Sequence, residues 1–281
     1  MTRSLLINLL LALLVGGLAL WMTLQPGRKS AEPGQPLSAL KRDDIDTIRI
    51  QREGLPEFVL QRQGRQWRQT APFPSRTDSS QAGRLLDLVA ASSSRQLPAT
   101  DLERFELARP FARVTLGDQV FAFGAVNTLT NEQYLLTNDR VHLVTPAIGF
   151  GLPTRADALA SHMLLAEDEI PVSVRAGAIS AETRDGRIAL TPEPPEAERP
   201  SQDDLRGWLE QWRYASSLAT QPAESLPRGE LVVVGLKDGK SLEFVVVRRT
   251  PELVLARRDE NLLYTFPPEQ AARLLALPHG R

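Results

Sequence analysis

The run from Leu5 to Leu24 constrains this chain more than any other stretch. Its only strongly polar member is Asn8, and Met1-Thr2-Arg3-Ser4 precedes it. A helix of about 20 apolar residues is roughly 30 Å long, the thickness of a bilayer's hydrocarbon core. The expectation is an N-terminal transmembrane helix. A cleaved secretory signal has a shorter apolar region, about 7–15 residues, followed by a small-x-small site. Here Gln25-Pro26-Gly27-Arg28-Lys29-Ser30-Ala31 follows, with Lys29 where a small residue belongs. The chain has no Cys to accept a lipid.

Arg3 lies before the run and Arg28 and Lys29 after it, so the charge bias across the span is nearly balanced. An early span followed by one large body most often exports that body. The absence of Cys fits an oxidising compartment. The expected topology is therefore single-pass with an exported body.

Hydrophobic content of 42% and charged content of 24% are ordinary for a globular body, enough for one large domain or two of about 120 residues. A formal net charge of −1 argues against nucleic acid as a partner. Gln25 to Ser38 carries Pro26, Gly27, Pro33, Gly34 and Pro36 and reads as an extended spacer. Beyond it the pattern turns to period two. Ile45, Ile48 and Ile50, then Phe58 and Leu60, then Trp67 indicate antiparallel strands punctuated at Gly54 and Gly64. Thr77-Asp78 caps a helix with Ala82, Leu85, Leu86 and Val89 on one face. Val114–Leu116, Val120–Phe123, Tyr134–Leu136 and Val141–Val144 read as further strands.

A second copy of this plan follows about 120–125 residues later. Val172 and Val174 stand for Ile48 and Ile50, and Asp185-Gly186-Arg187-Ile188 answers Gln63-Gly64-Arg65-Gln66. Ser201 opens a helix whose stripe is Leu205, Trp208, Leu209, Trp212 and Ala215. Val234, Leu236, Asp238, Leu255, Asp259 and Leu263 fall 120 residues after Val114, Leu116, Asp118, Leu135, Asp139 and Leu143. Thr154-Arg155-Ala156-Asp157 has capping-box character and predicts a connector helix through Leu159, Met163 and Leu164. Pro192 to Pro200 reads as a solvated Pro/Glu loop. The expected class is α+β: an N-terminal transmembrane helix, then two similar repeats of antiparallel strands, each with one helix. The divisions are a tail at 1–4, anchor at 5–24, linker at 25–40, repeats at 41–153 and 154–275, and a tail at 276–281.

No catalytic, cofactor-binding or metal residue is expected. Asp157 and His162 are five apart, about 140° around a helix, and do not converge as metal ligands need. Glu167, Asp168 and Glu169 read as the charged end of the connector. His142 is expected on the outer face of its strand, and His279 in the tail. Ser92-Ser93-Ser94 lies in no nucleophile elbow, and no Gly-rich or Walker pattern marks a nucleotide site. Trp208 and Trp212 share the apolar stripe and are expected in the core, and Trp67 covers the first sheet.

Several short motifs together resemble a known family. They are the N-terminal anchor, Ile48-Arg49-Ile50, Phe58 to Trp67, the Pro72 to Asp78 approach to a Leu-rich helix, Phe105-Glu106-Leu107-Ala108-Arg109-Pro110, Val114-Thr115-Leu116, Phe123-Gly124 and Gln133-Tyr134-Leu135. Their order is similar to that of the bacterial "domain of unknown function 4340" family, from about Leu40 to Val144 and more loosely beyond. The chain departs from the pattern at Leu107 to Pro110, where the usual Gly is absent. The resemblance implies membrane-anchored proteins of unassigned activity, some similar to auxiliary parts of gliding-motility-type ABC transport systems. It also makes the expected location the bacterial inner membrane, single-pass, with a periplasmic body, and it carries over no catalytic residue.

The functional expectation is a non-enzymatic, membrane-tethered accessory or scaffold subunit of an envelope assembly. Its partners would be the membrane and an envelope protein such as an ABC-type transporter, with no cofactor, nucleotide or nucleic acid. The alternative is a periplasmic module binding a glycan or other envelope polymer, and an enzyme comes third. An exposed aromatic row would favour glycan; an exposed apolar or edge-strand patch would favour a protein.

Overall fold

A computed structural model describes residues 13–17, 34–225 and 227–278. Residues 13–17 are helical (α1), with Leu13, Leu14 and Val15 exposed, and the rest of the expected Leu5–Leu24 span lies outside the described residues. Among the described residues no helix is long and apolar enough to cross a membrane. That finding corrects two expectations, the transmembrane anchor and the single-pass inner-membrane location. A span needs about 20 continuous helical residues, far more than the described stretch.

The α+β expectation is corrected as well. Strand outweighs helix, at 42% against 19%, and the strands form three antiparallel sheets, so the body is mainly β. In chain order the first part holds β1 (Gln35–Pro36), β2 (Thr47–Arg52), β3 (Phe58–Gln63), β4 (Gln66–Ala71), β5 (Ser75–Arg76), α2 (Ser79–Leu86), β6 (Ser92–Ser93), β7 (Arg95–Pro98), β8 (Ala112–Leu116), β9 (Gln119–Asn127), β10 (Glu132–Thr137), β11 (Arg140–Val144) and α3 (Ala147–Phe150). The second part holds β12 (Pro171–Ala176), β13 (Ile179–Arg184), β14 (Arg187–Thr191), α4 (Gln202–Arg213), β15 (Ala219–Pro222), β16 (Glu230–Leu236), β17 (Ser241–Arg248), β18 (Leu253–Arg257), β19 (Leu262–Phe266) and α5 (Pro268–Leu275). Each part thus carries two α-helices rather than one.

The larger sheets run β5-β4-β3-β2-β8-β9-β10-β11-β7 and β14-β13-β12-β16-β17-β18-β19-β15, while β1 and β6 pair separately. Both follow one path. Three meandering strands lead to a helix, a short strand joins the far edge, and four strands fill the gap. The central register matches too: Ile50 faces Val114 as Val174 faces Val234. A constant offset of 120 nevertheless fails at the last hairpin. Leu143 pairs with Tyr134, but Leu263 pairs with Ala256 rather than Val254. The cause is turn length: two residues separate Thr137 from Arg140, and four separate Arg257 from Leu262. Asn138 and Asp139 both have positive φ, the conformation that a two-residue hairpin requires.

Each sheet buries one face under its helices. Asp78 caps α2 by accepting from Ser80 N at 2.8 Å, and Ala82, Leu85 and Leu86 pack with Ile48, Ile50, Phe58 and Phe123. Ser201 and Asp204 form a reciprocal capping box on α4. Leu205, Trp208, Leu209 and Trp212 then bury against Val174, Val232, Val234 and Phe244. Trp67 packs at the margin of the first core. Leu37, near the end of the expected linker, is itself buried in that core.

The predicted connector helix is absent. Residues 153–168 form turns, and the two leucines expected on one stripe part company: Leu159 enters the first core and Leu164 the second. Phe73 makes the reverse journey, from the loop after β4 into the second core. Thr77 and Ala160 form a bridge at the crossing.

Candidate functional site

The junction between the sheets gathers charge. Arg76 Nε lies 2.5 Å from Glu260 Oε1, and Arg76 Nη2 donates to the carbonyls of Met163 and Leu164. Tyr264 donates to Glu260 at 2.5 Å. Arg257, 2% exposed, donates to Glu169 (2.5 and 2.8 Å), Asp259 (3.0 Å) and Leu164 O (2.8 Å). Burial and the Glu260 carboxylate push the Tyr264 phenol above its ordinary pKa, against the pull of Arg76. Burial opposes the charge of Arg257, but its hydrogen bonds to Glu169 and Asp259 outweigh that and raise its pKa. Two guanidinium groups and three carboxylates thus satisfy one another around the 163–164 backbone. This is how a buried charge is retained in a fold.

The other residues weighed from sequence fall apart as a site. Asp157 binds Arg155 at 2.7 Å and accepts from Thr220 N, while His162 Nδ1 donates to Ser217 O at 3.1 Å. Glu167 and Asp168 are exposed, and Glu169 belongs to Arg257. Among the described residues no three His, Asp or Glu side chains are grouped as a metal would need. His279 lies outside the described residues.

His142 corrects its expectation. It is 3% exposed and directly opposite Leu135, which lies in the first core, so its ring is on the inner face. Burial, and then the charge of Arg140, push its imidazole pKa below the usual 6.5.

Two concavities remain on the first part. One is an apolar cleft of about 260 Å³ between α2 and α3, floored by Leu85, Leu88, Val114, Leu152 and Leu159. Gln81, Arg84, Asp87 and Ala147 stand around it. Phe150, in α3, is 71% exposed. The second is a pocket of about 300 Å³ containing Arg52, Arg109 and Arg113. Arg52 connects the two, since its Nη1 donates to the carbonyl of Leu152 at 3.3 Å. Sequence reasoning missed both. The cleft needs α3, a four-residue helix without a periodic signal, and the arginines are spread from residue 52 to residue 113. No protein-family model, curated protein or solved structure matches this chain.

Proposed function

We propose that this protein is a non-enzymatic accessory subunit whose work is to hold a protein partner. The observation that supports this reading is the apolar cleft between α2 and α3 beside the exposed ring of Phe150. The cleft is about 260 Å³ and its floor is apolar. It suits one or two apolar side chains of another chain. Glycan recognition would call for a row of exposed aromatics. Among the described residues the strongly exposed ones are Phe150 and Tyr214, one in each part of the molecule. The resemblance to the domain of unknown function 4340 family points the same way, toward a transporter of the ABC type as the class of partner.

A photo-crosslinking amino acid at position 150 tests this in cells. The expected result is one discrete adduct, identified by mass spectrometry, that disappears when Ala147→Trp fills the cleft. Absence of an adduct, or an adduct indifferent to Ala147→Trp, overturns the reading.

A further inference from the structure

We infer that the pocket of Arg52, Arg109 and Arg113 binds the carboxylates of an acidic segment of a protein partner. The local fold brings these residues together. Ala112 and Val114 face the core, so Arg113 between them faces out, opposite Gln51 on β2. Arg109 lies on the turn that leads into β8, and Arg52 ends β2 with its guanidinium 5.5 Å from the centre of the Phe111 ring.

Some surface arginines find carboxylates, as Arg42 does Asp87, Arg184 Glu182 and Arg258 Glu243, and others, such as Arg84, Arg95 and Arg140, stand singly among the described residues. What sets this pocket apart is that it groups three. The side chains of Arg109 and Arg113 have no hydrogen bond or ion pair among the described residues. Glu53 is the one carboxylate lining the pocket, so three guanidinium groups face a single negative charge. The grouping is not a by-product of the shared strand plan, because Gln51 opposite Arg113 corresponds to Arg175 opposite Val233 in the second sheet.

The chemistry selects the ligand. Guanidinium forks match carboxylates through paired N–H donors, and an anion relieves the repulsion among like charges held close together. Phe111 and Pro110 supply an apolar wall for side-chain stems, which a peptide has and a free phosphate lacks. The link from Arg52 to Leu152 places this pocket beside the apolar cleft. A segment with an apolar anchor flanked by Asp or Glu fits both. The identity of the partner as a protein rests on the reading above, but binding can be tested without it.

The test is fluorescence anisotropy on the full chain with a labelled peptide alternating glutamate and leucine, and a control with glutamine for glutamate. The glutamate peptide is expected to bind roughly tenfold or more tightly than the control, with an affinity that falls as salt rises. Arg109→Ala with Arg113→Ala should lose that tenfold preference without a change in melting temperature, both side chains being exposed and unpartnered. Lysine at both positions should keep the salt dependence but bind more weakly than arginine. Equal affinity for the two peptides, or an unaffected double-alanine variant, overturns the inference. So does inorganic phosphate that displaces the peptide at comparable concentration, which would mark a small-anion site. A cleft adduct at position 150 that survives the double substitution would leave the accessory-subunit reading standing alone.

Discussion

Arg76, at the end of β5, inserts its guanidinium beside Glu260 in the turn between β18 and β19, with 2.5 Å between Nε and Oε1. The side chains are 16% and 8% exposed, so neither charge is well solvated. Arg76→Ala leaves Glu260 with only the Tyr264 hydroxyl and, at 3.7 Å, Arg257, and removes the donor serving the Met163 and Leu164 carbonyls. Breaking a buried pair from one side costs about 3–5 kcal/mol, which equilibrium urea unfolding would register.

Glu169 gives the same cluster a pH signature. Burial raises its pKa, but hydrogen bonds from Arg257 and from Ala166 N–H, with the charge of Arg257, hold it below the ordinary range. The unfolded carboxyl takes up its proton first, near pH 4.3. The stabilisation is therefore complete above that pH and lost as pH falls toward the lower folded value. Glu169→Gln should lower the urea midpoint at neutral pH and flatten the acid limb. An acid limb as steep as in the parent protein would refute this account.

His142 acts in a higher window. Its folded pKa is depressed by burial and by Arg140, so the unfolded chain binds the proton first as pH drops below about 6.5. Stability is full above that value and declines as pH falls toward the folded pKa. His142→Phe should abolish this component while leaving the Glu169 limb intact, so unfolding midpoints from pH 8 to pH 5, roughly the range over which histidine titrates, separate the two.

Trp212 is fully buried, with its Nε1–H donating to Leu274 O at 3.1 Å and its ring 5.7 Å from that of Phe244. Trp212→Ala should cost about 3–5 kcal/mol. Loss of the position-150 adduct at an unchanged melting temperature would instead indicate a binding surface.

The strands and long helices were legible because their signals are local. The stripe through Trp208 and Trp212, the caps at Asp78 and Ser201, and the alternation around Ile48 and Val114 all act within a few residues. What the sequence concealed is non-local. Leu159 and Leu164 looked like one helical face, yet they serve different cores. Asp157, expected to cap a helix, spends its carboxylate on Arg155 and Thr220 N. His142 was misplaced because β11 is buried from Val141 through Val144, and alternation cannot tell the faces of such a strand apart. The partners of Arg257 and the arginine pocket are set by pairings across scores of residues, which no spacing announces.

Phe73 and Leu159 each complete the core of the opposite part of the molecule. Removing either part therefore opens a hole in the other as well as exposing the face between them. Two sheets with the same strand order would ordinarily be free to melt in separate steps. Here each is short of one buried side chain unless its neighbour is folded, so calorimetry should record a single cooperative heat-absorption peak. Likewise, limited proteolysis near Thr154 should yield no half that persists on its own.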